Sequence, residues 1–228
     1  MIGSAGRIFN FDHRKVWIDE QLVQQARYFG IDLLCQAILS NHIHLVLRSR
    51  PDVVAEWDDN EVARRWLMLC PQRRDEQRQP EEPTEFEINS VRNDKQKLAT
   101  IRSRLSDISW WMRLLSQNIA QRANREDQEL GKFWQARDRA VRLLDETALL
   151  ACAAYVDLNP IRAAIAETIE GSAFTSAQKR CRDLQARVTQ TGATSDPPRS
   201  VGDIGGLARS RLSRRMRQRR WGVQQERQ

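Results

Sequence analysis

His42 and His44 are two of only three histidines in the chain, and they alternate with apolar residues in HIHLVLR. Side chains of an extended strand alternate between faces, so these two imidazoles project the same way. Ile43, Leu45 and Leu47 then point to the opposite face, where a helix would bury them. Two neighbouring neutral imidazoles make half of a divalent-metal site; the same pattern also fits a solvated polar strand face. Tyr155, one of two tyrosines, lies in the apolar run LLACAAYVDLNP four residues before Asn159. Residues at i and i+4 share a helix face. An amide oxygen can ligate Mg²⁺ or Mn²⁺, and a phenol can act as a covalent nucleophile. Taken alone, that pair also fits a core tyrosine and a helix-end asparagine before Pro160. Taken together, the four residues fit one chemistry. A metal held by His42, His44 and Asn159 would polarise a phosphodiester oxygen. Tyr155 would attack phosphorus, release a 3′-OH and remain as a 5′-phosphotyrosine able to rejoin another strand. A free phenol has a pKa of about 10, so activation needs the metal's charge or a base that the sequence does not name.

The elements that must position these residues follow from apolar periodicity. Residues 13–30 read as a helix that Gly30 stops. Residues 31–39 read as a strand with Leu33, Cys35 and Ala37 on one face. Ser40-Asn41 is a turn signal, and residues 42–48 return as the second strand of a hairpin ended by Pro51. Asp58 to Asn60 mark another helix start. Residues 71–97 are rich in charge and hold Pro80 and Pro83, which predicts a mobile charged insertion. Apolar residues from Leu98 to Ile119 recur at spacings of three and four, which predicts one long amphipathic helix over 98–124. A strand is predicted within 132–143. Asp145 caps a helix over 146–159 that breaks near Pro160, and 172–188 is a final helix. The order predicts an α+β domain whose small antiparallel sheet is covered by helices on one face. RIFNF, at 7–11, is a candidate edge strand.

The chain has 228 residues, net charge +7 and 29% charged residues, with an isoelectric point near 9.7. Its size fits one domain. Nine arginines after position 198 supply the whole charge excess, and residues 1–198 are neutral overall. The predicted organisation is a catalytic domain over 1–188 followed by a disordered, Arg-rich tail over 189–228. Arg209, Arg211, Arg214, Arg215, Arg217, Arg219 and Arg220 are candidate phosphate contacts there; a solvated end is the alternative. The four cysteines are scattered and read as reduced thiols. With no apolar run of bilayer length and no signal-peptide core, the expected location is cytoplasmic.

SNHIHLVL resembles the histidine-hydrophobe-histidine (HUH) strand of the single-tyrosine transposases of the insertion-sequence-200 type. YVDLNPIRA, at 155–163, is similar to their tyrosine-helix signature. The FWQARDRAVRLLDETALLACAAYVDLNPIRAAI stretch resembles relatives associated with repetitive extragenic palindromes. The resemblance covers about residues 12–180, apart from the insertion. It implies a ferredoxin-like α+β fold with an antiparallel sheet, Tyr155 as nucleophile, and His42, His44 and Asn159 as ligands to Mg²⁺ or Mn²⁺. It also implies single-stranded DNA with hairpins as substrate, and a monomer or homodimer. The family's first strand precedes its first helix, where this chain offers only MIGSAGRIFNF. Part of that strand is therefore expected to be missing. The alternative function is a decayed or domesticated relative that binds DNA hairpins without cutting; a third is a phosphodiesterase that uses water instead of Tyr155.

Overall fold

The computed structural model describes residues 12–191 and 221–224. RIFNF and the seven tail arginines lie outside the described residues. The chain runs α1 (Asp12–Tyr28), β1 (Ile31–Ile38), β2 (Ile43–Ser49), α2 (Pro51–Glu56), α3 (Asp59–Leu69), α4 (Glu85–Arg92), α5 (Lys95–Arg104), α6 (Ile108–Asp127), β3 (Ala140–Val141), α7 (Glu146–Arg162), α8 (Ser176–Thr191) and β4 (Trp221–Gln224). It is a mixed α+β structure whose antiparallel sheet has the hairpin β1–β2 as its body. The strand order is β1-β2-β4-β3. β4 pairs with Leu45–Arg48 on the free edge of β2, so four residues of the expected disordered tail belong to the sheet.

Helices cover both faces of the hairpin, not one. Leu45 and Leu47 face an apolar layer built by α1, α3, α5 and α6, with Leu22, Val62, Ile101, Trp111 and Leu115 at its centre. Burying a leucine side chain of this kind contributes roughly 1.5–3 kcal/mol. Cys35, Ala37, Leu39 and Val46 face the other way, against Val156 and Leu143. Leu33 was expected on the same face as Cys35 and Ala37, but it pairs with Leu47 and packs with the α1 layer. The reason is an extra residue: Leu33 opposes Leu47 and Cys35 opposes Val46, leaving Leu34 as a bulge. One extra residue reverses the alternation of a strand.

Both ends of the hairpin are pinned. At the tip, Leu39 N–H donates to the His42 carbonyl at 2.9 Å across Ser40-Asn41. At the base, Gly30 N–H donates to the Leu105 carbonyl at 2.8 Å, and its own carbonyl accepts from Arg50 N–H at 2.8 Å. A Cβ at Gly30 would lie 2.1 Å from Val54 Cγ2, so no larger residue fits without displacement.

The long helix expected over 98–124 is two helices. Asp107 accepts from Ser109 N–H at 2.7 Å and starts α6 afresh, because an N-cap satisfies donors that a continuous helix would not expose. Residues 71–97, expected as a mobile insertion, carry α4. Thr84 and Glu87 form a capping box, Val91 is buried, and Arg73 pairs with Glu81 and Glu87. The charges there serve one another, and Val91 and Ile88 dock the helix on the core. The strand expected within 132–143 shrinks to Ala140–Val141.

Candidate active site

His42 is the last residue of the hairpin turn, and His44 is the second residue of β2. The alternation places both on the α7 side, with ring centroids 4.7 Å apart. His44 is 2% exposed, and His42 is half-buried. The Nδ1–H of His42 donates to Asn41 Oδ1 at 2.7 Å. With that proton so placed, Nε2 keeps its lone pair for a metal or a substrate proton. Burial pushes the His42 imidazole below its ordinary pKa, and contact with the Asn159 side chain partly opposes this. The neutral form is therefore favoured near pH 7, which is the form that ligates a metal.

α7 supplies the other half. Asp145 caps it by accepting from Ala148 N–H at 2.7 Å. Leu149, Cys152, Ala153 and Val156 form the stripe that docks on β1 and β2. Tyr155 flanks that stripe, and its ring centroid lies 5.8 Å from that of His44. Asn159, 8% exposed, follows one turn later and reaches His42. Pro160 does not break the helix: it sits inside the last turn, and α7 ends at Arg162. Pro160 has no N–H, so the Val156 carbonyl has no helical donor at that step. The fold therefore brings together His42, His44, Tyr155 and Asn159, all four residues singled out in the sequence.

Two further residues belong to this region. Arg162 is seven residues after Tyr155 on the same helical face, and its guanidinium carbon lies 5.1 Å from the Tyr155 ring centroid. Cation and ring attract at this distance. The i+7 spacing was the available signal. Asp157 turns to the opposite side of α7. It accepts from Cys35 Sγ–H at 3.1 Å, from Ala177 N–H at 3.2 Å at the start of α8, and from Arg180. Burial and the Asp157 carboxylate push the Cys35 thiol up to about 12. A carboxylate inside an apolar helix was its signal. Asp157 fixes the rotation of α7 and so the direction of Tyr155 and Asn159.

Among the described residues no group of three His, Cys, Asp or Glu side chains could hold a metal ion. The donor set is two imidazoles and one amide oxygen. It fits a cation that accepts imidazole, such as Mn²⁺, better than Mg²⁺, which prefers an oxygen shell. No protein-family model, curated protein or solved structure matches the chain. Among the described residues no helix is long and apolar enough to cross a membrane.

Proposed function

We propose that this chain cuts and rejoins single-stranded DNA through a covalent link to Tyr155, as a transposase of the single-tyrosine HUH class with a ferredoxin-like core. The observation that carries the reading is the run of three rings in edge contact between the hairpin and α7: His42 to His44 at 4.7 Å and His44 to Tyr155 at 5.8 Å. A nucleophile lies beside a pair of imidazoles, of which His42 is held below its ordinary pKa by burial, with an amide oxygen one helical turn away. His42, His44 and Asn159 would hold a divalent cation. When bound, that cation supplies Lewis-acid polarisation of a phosphodiester oxygen.

The chain's own groups account for the rest. Tyr155 Oη gives up its proton and bonds to phosphorus. The bond from phosphorus to the 3′-oxygen breaks, and the leaving strand departs as a 3′-OH after taking a proton. Arg162 balances negative charge at the phenoxide and the phosphate. The reverse reaction with a different 3′-OH joins two strands, with no nucleotide consumed. The antiparallel pairing of the hairpin, with helices packed on it, supports a ferredoxin-like reading.

The test is covalent trapping. Labelled single-stranded hairpin oligonucleotides from the DNA flanking the coding region are incubated with protein and Mn²⁺, then resolved on a denaturing gel. The expected result is a metal-dependent protein–DNA band that disappears completely in Tyr155→Phe, whose ring preserves the packing. Metal-dependent cutting that survives Tyr155→Phe would instead establish hydrolysis by water. Hairpin binding without cutting would establish the binding-only relative.

A further inference from the structure

A second cluster lies away from the His-Tyr site, where the ends of α3 and α5 meet the start of α6. Arg104 lies 4.0 Å over the Trp110 ring, and Arg113 lies 4.9 Å from the same ring. Trp66 stands edge-on to Trp110 at 6.0 Å, with Arg104 5.7 Å from its own ring. Arg113 is exposed and Arg104 half-buried. Among the described residues neither guanidinium has a carboxylate within ion-pair distance, unlike Arg64, Arg65, Arg73 and Arg102 on the neighbouring elements. The nearest acid in sequence, Asp107, is engaged as the cap of α6. A guanidinium held flat by an aromatic ring keeps its edge donors in fixed directions, which suits phosphate.

The cluster leads along α6 to a groove. Ser116 follows Arg113 by three residues, on the same helical face. From there a cavity of about 470 Å³ opens between Ile43, Met112, Leu115, Ala120, Phe133 and Trp134, and its charged lining is Lys132, Arg137 and Asp138. Trp134 is fixed there by donating its Nε1–H to the Ser116 carbonyl at 2.9 Å. An apolar, aromatic slot whose charged lining is two cations and one carboxylate, net positive, complements an unstacked base joined to its phosphates. Ile43, which lines it, lies between the two histidines in sequence but on the other face of β2, so the track ends behind the site's own strand.

We infer that the end of α5 and the length of α6 carry a track for single-stranded DNA: Arg104 and Arg113, stacked on Trp110, take successive phosphates, and the groove under Trp134 takes a base. This rests on the single-stranded substrate of the proposed function and adds where the strand runs beyond the cut. The test is equilibrium binding of a labelled thymidine oligonucleotide of about 20 nucleotides to the full chain without metal, over a range of salt. Each phosphate contact on a single strand contributes about 0.7 to the slope of log K against log salt. Arg104→Gln with Arg113→Gln should lower that slope by about 1.4. Arg104→Lys with Arg113→Lys should retain most of the slope, and the charge-matched control Lys97→Gln with Arg182→Gln should leave it unchanged. Equal slopes for all variants would overturn the track. Photocrosslinking the unsubstituted protein to 5-iododeoxyuridine oligonucleotides covers the case of a variant that misfolds. Adducts should map to Trp110, Phe133 or Trp134, and adducts confined to other peptides would overturn the inference. Covalent trapping at Tyr155 separates the two readings. Trapping with an unchanged slope removes the track alone, a lowered slope without trapping removes the enzyme alone, and no DNA binding removes both.

Discussion

Along β2, Ile43, Leu45 and Leu47 enter the apolar layer under α1 and α6, whereas His44 and Val46 turn toward α7. Both sides are well buried, with Leu45 at 1% and His44 at 2% exposure, so burial does not distinguish them. Composition does. One face is mostly hydrocarbon, whose contribution is spread over many contacts, and its buried amide, Gln25, donates to the Trp111 carbonyl. The other holds imidazole, phenol, amide and thiol groups, whose burial is unfavourable unless partners are placed for them. A fold needs only the first kind of face to be stable. The second kind requires Asn41, Asn159 and Asp157 to be supplied as well, and chemistry is best sought there.

The comparison can be broken most severely at Leu45. Leu45→Ala should lower stability by about 2–5 kcal/mol, as for other buried leucines. A urea denaturation series checks this, and a loss below about 1 kcal/mol would mean that the α1 face is loosely packed. Asp157→Ala comes next, with a loss of about 1–3 kcal/mol as the Cys35, Ala177 and Arg180 partners are stranded. The same variant should bring the Cys35 thiol down from about 12, because the carboxylate is one of the groups holding it there. The rate of alkylation against pH reads this directly, and an unshifted profile would leave burial as the whole cause.

Asn41→Ala should barely change stability, since Asn41 is exposed. It should weaken Mn²⁺ binding by about 10–100-fold by freeing the His42 ring. Calorimetric titration of wild type and variant gives the ratio, and equal affinities would exclude Asn41 as the orienting partner. The smallest effect is in pH. The folded-state pKa of His42 lies below its ordinary value, so the unfolded chain binds the proton more readily. Stability from this group is complete above the unfolded pKa of about 6.5 and is lost as pH falls below it. His42→Gln should flatten that part of the stability profile, as followed by thermal melts between neutral pH and about pH 5.

The site was legible because each half is local. His42 and His44 are two residues apart on a strand, Tyr155 and Asn159 four apart on a helix, and both periodicities can be read without knowing the fold. The caps at Asp58 and Asp145 were legible for the same reason. What failed was set by distant partners or masked by continuity. The apolar spacing runs unbroken through Leu105, so the restart of the helix at Asp107 was hidden although the capping residue was in view. The charges of 71–97 suggested an unstructured segment because Arg73 and its glutamates could not be paired on paper. β4 joins β2 from more than 170 residues away, beyond the reach of any window. The face of Leu33 was misread because a bulge depends on how two strands pair and not on either strand alone.

That bulge also has a genetic consequence. Single-codon deletions inside a strand are normally severe, because every residue beyond the lesion turns over. Leu34 is the exception in β1, since Leu33 already opposes Leu47 and Cys35 already opposes Val46 on either side of it. Deleting codon 34 would close the ladder into a regular one and leave both neighbours facing as they do now, with only the half-buried Leu34 contact forfeited. β1 thus behaves as a strand that has absorbed an insertion, and its reading frame of faces survives the loss of that codon.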